Sequence, residues 1–398
     1  MDLFNKCTKI IPETSLDYAI KVKEMGYYPY FHVVNSKQGA IVIMEGKETI
    51  MLGSNNYLGL TSNEEVCKAS IEAIKKYGTG VSGSRFLNGT LDLHVEFEKE
   101  MAEFLDKESV LSFSTGFQSN LSIISAICGR HDYIVMDKEN HASIYDACRL
   151  TYSKLLRYDH GDMTDLEKQL KSVPEESGIL VVTDGIFSMS GDIAKLPQII
   201  ELAKKYGART MVDDAHGFGV LGKTGKGTAD HFNLTKETDI IMGTFSKSLA
   251  SMGGFMAADE SVCHYVRHNA RPFIFSAAIP PSNIAAAAAA LKVLKNEPQR
   301  VERLSKISDY FRAGLKKRNI KFIDTKTPVI PIYTYEVIRT MIICTELFNR
   351  GVYVNPVMPP ATPQGECLIR ISLTSEHTDA IAEKALKIID DVLKSVKI

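Results

Sequence analysis

The chain has 398 residues, 44% of them hydrophobic and 24% charged, and a formal net charge of −1. That balance is the one expected of a globular protein large enough for two lobes. Near-neutral charge removes the pull toward nucleic acid or anionic membrane that a basic chain would have. Seven scattered cysteines without a C-x-x-C pair read as reduced thiols of a cytoplasmic protein, not as a disulfide framework or zinc site, and no metal is expected.

The N-terminal stretch "MDLFNKCTKIIPETSLDYAIKVKEMG" lacks the unbroken apolar core of a signal peptide. No run approaches the roughly 18 apolar residues of a membrane span. Apolar, β-rich runs then alternate with amphipathic segments. "SVLSFS" (109–114) precedes "QSNLSIISAICG", and "DYIVMD" (132–137) precedes "ASIYDACRLTY". "GILVVTDG" (178–185) precedes "LPQIIELAKKYG", which "ARTMVDDA" (208–215) and "DIIMGTF" (239–245) follow. Such alternation predicts an α/β fold with a largely parallel sheet and helices on both faces. The alanine run "IAAAAAALKVL" (284–294) predicts a long helix. Beyond it, "VIPIYTY" and "CLIRISL" read as strands of a smaller α+β lobe. Residues 1–50 are expected to form an N-terminal arm, 51–290 the large domain, and 291–398 the small C-terminal domain.

"GFGVLGKT" (217–224) fits the phosphate-loop pattern G-x-x-x-x-G-K-[ST]. Such a loop needs a helix starting at its Lys-Thr, so that free N–H groups face the phosphates. Here Gly225 and Gly227 occupy the would-be first turn, each costing about 1 kcal/mol relative to alanine in a helix. Asp213 and Asp214 just upstream would also repel phosphate. The match reads as a glycine-rich turn, with Asp214 a structural carboxylate.

In parallel sheets, ligands sit at the carboxyl ends of the strands. "STGFQSN" brings Gly116 and Phe117 to a helix start, an anion site by its free N–H groups. "NHAS" brings His141, "DGIFSMSGD" Ser188, "VDDAH" Asp213 and His216, and "GTFSKS" Thr244, Ser246 and Lys247. Together these are a phosphate cradle, a stacking imidazole, a buried carboxylate, a second imidazole and an amine. They are the parts that hold pyridoxal phosphate, with Lys247 as its covalent anchor and Asp213 as partner of the pyridine nitrogen.

The segments "LGSNNYLGL" (52–60), "YGTGVSGSRFLNGTLDLHVEFEKEMAEF" (77–104), "DKENHASIYDACR", "TDGIFSMSGDIAKLP", "VDDAHGFGVLGKTGKG", "GTFSKSLASMGGF", "RPFIFSAAIPP" and "LIRISLTSEHT" (368–378) agree in order and spacing with one family. The chain resembles the α-oxoamine synthases, fold-type I pyridoxal-phosphate transferases that join an amino acid to an acyl-CoA with loss of CO2. The resemblance implies that Lys247 carries the cofactor and moves the substrate Cα proton, and that Asp213 keeps the pyridine nitrogen protonated. It implies that His141 stacks on the ring, that His216 and Ser188 reach the phenolic oxygen, and that Gly116, Phe117, Thr244 and Ser246 hold the phosphate. Asn55 and Arg370 would receive the amino-acid carboxylate. A homodimer with shared sites follows, in which Ser276 of "FSAAIPP" reaches the other subunit's phosphate, although Ala277 and Ala278 lack the hydroxyl often found there.

Within the family, "GTFSKSLAS", "YYPYF" (27–31) and the lack of arginine in "DYAIKVKEMGYYPYF" look like the bacterial sphingolipid-forming members. These use L-serine and long-chain acyl-CoA, and no transmembrane segment is implied, with contact at a membrane surface left open. The alternative is another branch, of the 8-amino-7-oxononanoate synthase or glycine C-acetyltransferase type.

Overall fold

The computed structural model describes residues 2–8, 15–359 and 361–396. The chain divides into two compact units, one of residues 55–188 with 192–305, the other of the rest of the chain. Strands β1 (Ile41–Met44) and β2 (Lys47–Met51) come first. The larger unit holds β3 (Ser109–Phe113), β4 (Tyr133–Asp137), β5 (Lys154–Tyr158), β6 (Ile179–Asp184), β7 (Arg209–Asp213), β8 (Ile240–Thr244) and β9 (Gly254–Ala258). Last come β10 (Val329–Tyr335), β11 (Val352–Tyr353), β12 (Asn355–Val357) and β13 (Cys367–Ser372).

The larger unit is built on a seven-stranded sheet of order β3-β9-β8-β7-β6-β4-β5. β5, β4, β6, β7 and β8 run parallel, whereas β9 is antiparallel to both β8 and β3. Two reversals in succession leave β3 pointing the same way as β8. The carboxyl ends of β3, β4, β6, β7 and β8 therefore open on one edge.

Side chains alternate between the two faces of the sheet. Ile134, Met136, Val182, Met211 and Met242 pack with Ile123, Ile144 and Val266 of the helices Gly116–Ile127, Ala142–Arg149 and Glu260–Asn269. Val212, Ile241, Phe255 and Ala257 pack with Phe97, Met101, Ile284 and Ala287 of the helices Asp92–Leu105 and Pro281–Asn296. The alanine run lies in this last helix, which starts on proline and buries Ala285, Ala286, Ala287 and Ala290.

Two strands of the seven-stranded sheet escape the sequence reading. β5 ends the sheet and four of its five residues are wholly or partly exposed, so no apolar run marks it. β9, "GFMAA", is fully buried but made largely of small residues with low strand preference.

The smaller unit contains the sheets β1-β2-β11 and β10-β13-β12. β2 pairs in parallel with β11, joining segments some three hundred residues apart in sequence. Thr378 caps the closing helix Asp379–Ser395 by accepting from the Ile381 N–H. No helix among the described residues is long and apolar enough to cross a membrane.

The phosphate-loop-like stretch is a turn wound around Asp214. One carboxylate oxygen accepts the Thr228 N–H at 2.7 Å and the other accepts the Thr228 hydroxyl. A Cβ at Gly217 would fall 1.9 Å from Asp214 Oδ1, and one at Gly227, whose φ is +109°, 1.8 Å from Oδ2. The glycines are there to let backbone close over a carboxyl group. Only the four-residue helix Thr228–His231 follows, too late to serve a phosphate at Lys223.

Burial pushes the Asp214 pKa up to about 7, the Thr228 hydrogen bonds opposing it. A carboxyl raised above its unfolded value stabilises fully below about pH 4. That contribution is lost as pH rises to about 7, at about 1.4 kcal/mol per unit of difference. Asp214→Asn mimics the protonated form, its amide able to donate to the Thr228 hydroxyl. The variant should therefore gain stability relative to wild type as pH rises from about 4 to 7. Denaturant unfolding at a series of pH values checks this, and a pH-independent difference would refute it.

Candidate cofactor site

At the carboxyl edge of the seven-stranded sheet lies a cavity of about 330 Å³. Of the residues expected from sequence, Gly116, Phe117, His141, Asp213, His216, Thr244, Ser246 and Lys247 line it. Ser188 does not, nor does Asn55. Ser276 lines a separate small cleft, its Oγ accepting from Gln118 Nε2 at 2.9 Å. Arg370 belongs to the smaller unit, buried on β13 opposite Pro331 and Asn355.

Gly116 and Phe117 begin a twelve-residue helix whose cap, Thr115, accepts from the Gln118 N–H through its side chain. The cap leaves the first-turn amides of Gly116 and Phe117 for a ligand. Glycine is required at 116 because a Cβ there would lie 2.8 Å from Thr244 Oγ1. Thr244 Oγ1 is in turn 2.9 Å from Ser246 Oγ. Thr244 Oγ1 donates to Gly253 O at 3.0 Å, so two amides and the Ser246 hydroxyl converge on this end of the cavity as donors suited to a phosphate dianion, with Thr244 beside them.

Lys247 follows β8 on a tight turn. Phe245 N donates to Gly253 O at 3.0 Å, Ser251 N to Phe245 O at 3.0 Å, and Ala250 N to Lys247 O at 3.1 Å. The Phe245 ring is fully buried against Phe97 and Phe255. At Gly253, with φ of +147°, a Cβ would strike that ring at 2.3 Å. The aromatic residue two positions before the lysine is therefore the peg on which the lysine turn hangs.

The opposite end is acidic. Asp213 closes β7, with Oδ1 accepting the Ala215 N–H at 3.0 Å and Oδ2 accepting Asn120 Nδ2 at 2.7 Å. Asp184, its register partner on β6, also lines the cavity. Burial and then the Asp213 charge push the Asp184 pKa well up. Asp184 Oδ1 accepts the His141 N–H at 3.3 Å. Asn140 ties the same loop to β6, accepting from Asp184 N at 3.0 Å and donating to Val182 O at 2.9 Å.

His141 caps the helix Ala142–Arg149. Desolvation lowers its pKa, Asp213 opposing and Lys247 adding to the shift. His216 is buried, and its Nδ1 lies 2.7 Å from the hydroxyl of the fully buried Tyr57.

Sequence reasoning missed Asp184, Asn120, Ser143 and Tyr57. Asp184 ends a strand just as Asp213 does, and that position was a usable signal. Asn120 and Ser143 lie inside helices, seven and six residues past the ends of β3 and β4, and only the fold brings them in.

This is the fold-type I arrangement, and residues 47–389 match the family described as aminotransferase class I and II; the chain belongs to that family. More particularly, it is 48% identical to a serine palmitoyltransferase of Bacteroides thetaiotaomicron over 375 residues, 93% of this chain and 95% of that protein. It is 40% identical to an 8-amino-7-oxononanoate synthase of Thermoanaerobacter pseudethanolicus, over 95% and 96% of the two chains. A high-resolution structure of SPT with PLP superposes with a TM-score of 0.95 at 34% identity, covering 100% of this chain and 99% of that one.

Truncating Phe245→Ala should remove the peg and cost about 3–5 kcal/mol. Denaturant unfolding would measure it, and a loss below about 1 kcal/mol would show that the turn holds without the ring.

Proposed function

We propose that the chain is a pyridoxal-phosphate-dependent C-acyltransferase that condenses L-serine with palmitoyl-CoA, giving 3-ketodihydrosphingosine, CoA and CO2. One observation carries the reading: a site with the residues for this cofactor sits in a chain 48% identical to a serine palmitoyltransferase over nearly its whole length. The residues fit the group at both ends, since the Gly116 cradle admits no Cβ and the Asp213 carboxylate suits a protonated pyridine.

When bound, pyridoxal phosphate supplies an electron sink for the pair left as bonds to the substrate Cα break. The Gly116 and Phe117 amides and the Thr244 and Ser246 hydroxyls would hold its phosphate. Lys247 Nζ would anchor its aldehyde carbon and, once released, take and return the proton at the substrate Cα. Asp213 would hold the proton on the pyridine nitrogen, and Asp184, its pKa pushed well up by burial, would avoid a second charge there. His216, its Nδ1 beside the Tyr57 hydroxyl, would reach the phenolic oxygen, with Ser188 as its companion in the resemblance. Asn55 and Arg370 keep the role the resemblance gives them, receiving the serine carboxylate, Arg370 as a bidentate fork.

A homodimer in the cytoplasm is part of the proposal, with Ser276 serving the other subunit. Leu87 and Phe275, 78% and 77% exposed in the single chain, are apolar surface of the kind an interface covers. Tyr28, Tyr30 and Phe31 form a small aromatic cluster in the N-terminal segment, with Lys23 Nζ 5.9 Å from the Tyr28 ring centre; the resemblance assigns an apolar acyl chain to this arginine-free stretch. The 8-amino-7-oxononanoate branch is the second reading, favoured only by its 40% identity.

Lys247→Ala should abolish turnover and the cofactor's imine absorbance with the fold intact. Asp213→Asn should still bind cofactor but lose activity by orders of magnitude; activity within about tenfold of wild type, or about 1.4 kcal/mol in the barrier, would remove that role. The substrate assignment is tested by comparing kcat/KM for palmitoyl-, decanoyl-, pimeloyl- and succinyl-CoA with serine. Efficiency should rise with apolar chain length, by up to about 0.8 kcal/mol per buried CH2. A preference for either dicarboxylic thioester would move the chain to another branch.

A further inference from the structure

A chain of hydrogen bonds runs from Asp213 to His141 along one wall of the cavity. Asn120 is buried, and its Nδ2 donates to Asp213 Oδ2 at 2.7 Å and to Ser143 Oγ at 2.8 Å. A carboxylate only accepts, so the atom facing Asp213 must be the amide nitrogen. Asn120 Oδ1 is buried with no partner among the described residues, so the amide is held in place by its donor end alone. Ser143 Oγ, accepting from Asn120, lies 2.7 Å from His141 Nδ1 with its proton to give. The Ser143 backbone N–H also points at Nδ1, at 3.2 Å. Two donors thus face one ring nitrogen, which leaves that nitrogen no room for a hydrogen of its own.

We infer that Asn120 and Ser143 are positioning residues that keep the His141 imidazole neutral, with its hydrogen on Nε2. The charges around the ring make such a device useful. Asp213, at the end of β7, draws a proton toward His141, whereas Lys247 repels one; Asp184, at the end of β6, is engaged with the His141 backbone N–H. His141 also sits at the N-terminus of an eight-residue helix, where the dipole disfavours a cation. With Asn120 Nδ2 on Asp213 and the Ser143 hydroxyl turned to Nδ1, the pull of Asp213 is spent on the amide. The inference rests on the proposed cofactor site for its purpose: an imidazolium there would compete with a protonated pyridine for the one carboxylate. The protonation state itself can be read with or without cofactor.

The test is nitrogen NMR of the full chain labelled at histidine, recorded with and without bound pyridoxal phosphate, the His141 signals being assigned by their loss in His141→Gln. Wild type should show an unprotonated Nδ1 and a protonated Nε2 between about pH 6 and 8. Ser143→Ala removes one of the two donors and should raise the His141 titration midpoint by about one pH unit, about tenfold in proton affinity, the worth of one hydrogen bond. Asn120→Leu should move it in the same direction, and Ser143→Thr, which restores the hydroxyl, should return it to the wild-type value. A protonated Nδ1 in wild type at neutral pH would overturn the inference. So would a Ser143→Ala variant that loses thermal stability with no shift in the midpoint, which is the mark of a merely structural serine. Failure of the serine and palmitoyl-CoA assay with this pattern intact would count against the proposed function and not against the relay.

Discussion

Two carboxyl groups lie side by side at the ends of β6 and β7, buried almost completely, where desolvation and mutual repulsion both oppose charge. Asp184 has its pKa pushed well up by burial and by its neighbour. Asp213 is met by an amide N–H and by the Asn120 side chain. A buried carboxylate is costly, and in the proposed function a protonated ring nitrogen would meet Asp213. The rest of the cavity is arranged around this end. The phosphate cradle lies at the other end, and His141 and Lys247 line the space between.

That arrangement depends on the sheet. Five strands must deliver their carboxyl ends to one edge, and they do so although β9 runs against its neighbours. Because β3 is reversed relative to β9, the helix that starts at Gly116 points its amides toward the end of β8. Its approach to Thr244 is close enough to forbid a Cβ at residue 116. Phe245 then fixes the lysine turn to the core beneath the sheet, so the backbone that carries Lys247 is held by hydrophobic packing. The lining of the cavity is held in place because each part is an element end anchored in one of two cores.

The Asp214 turn shows why a short pattern needs its context. "GFGVLGKT" carries the glycines of a phosphate loop, but those glycines face a carboxylate that ties the turn to Thr228. Gly225 and Gly227 spoil the helix that a phosphate would need, and they were legible as such in the sequence. What the carboxylate does was not, because Thr228 is fourteen residues away from it.

The alternation of apolar strands and amphipathic helices, visible in the sequence, set the class of the larger unit and pointed to the strand ends, because burial on both faces imposes continuous apolar runs. Chemically distinctive residues at those ends, Lys247, Asp213 and His141 among them, were legible for the same reason. The tertiary structure alone decided the rest. β5 carries no hydrophobic signature because it ends the sheet, and β9 none because close packing there selects small side chains. The pairing of β2 with β11 joins distant segments through backbone hydrogen bonds that leave no mark on residue type. Asn120 and Ser143 read as ordinary helix residues until the helices Gly116–Ile127 and Ala142–Arg149 pack side by side. Hydrogen bonds between separate elements depend on positions in space, and local sequence encodes only the elements that carry them.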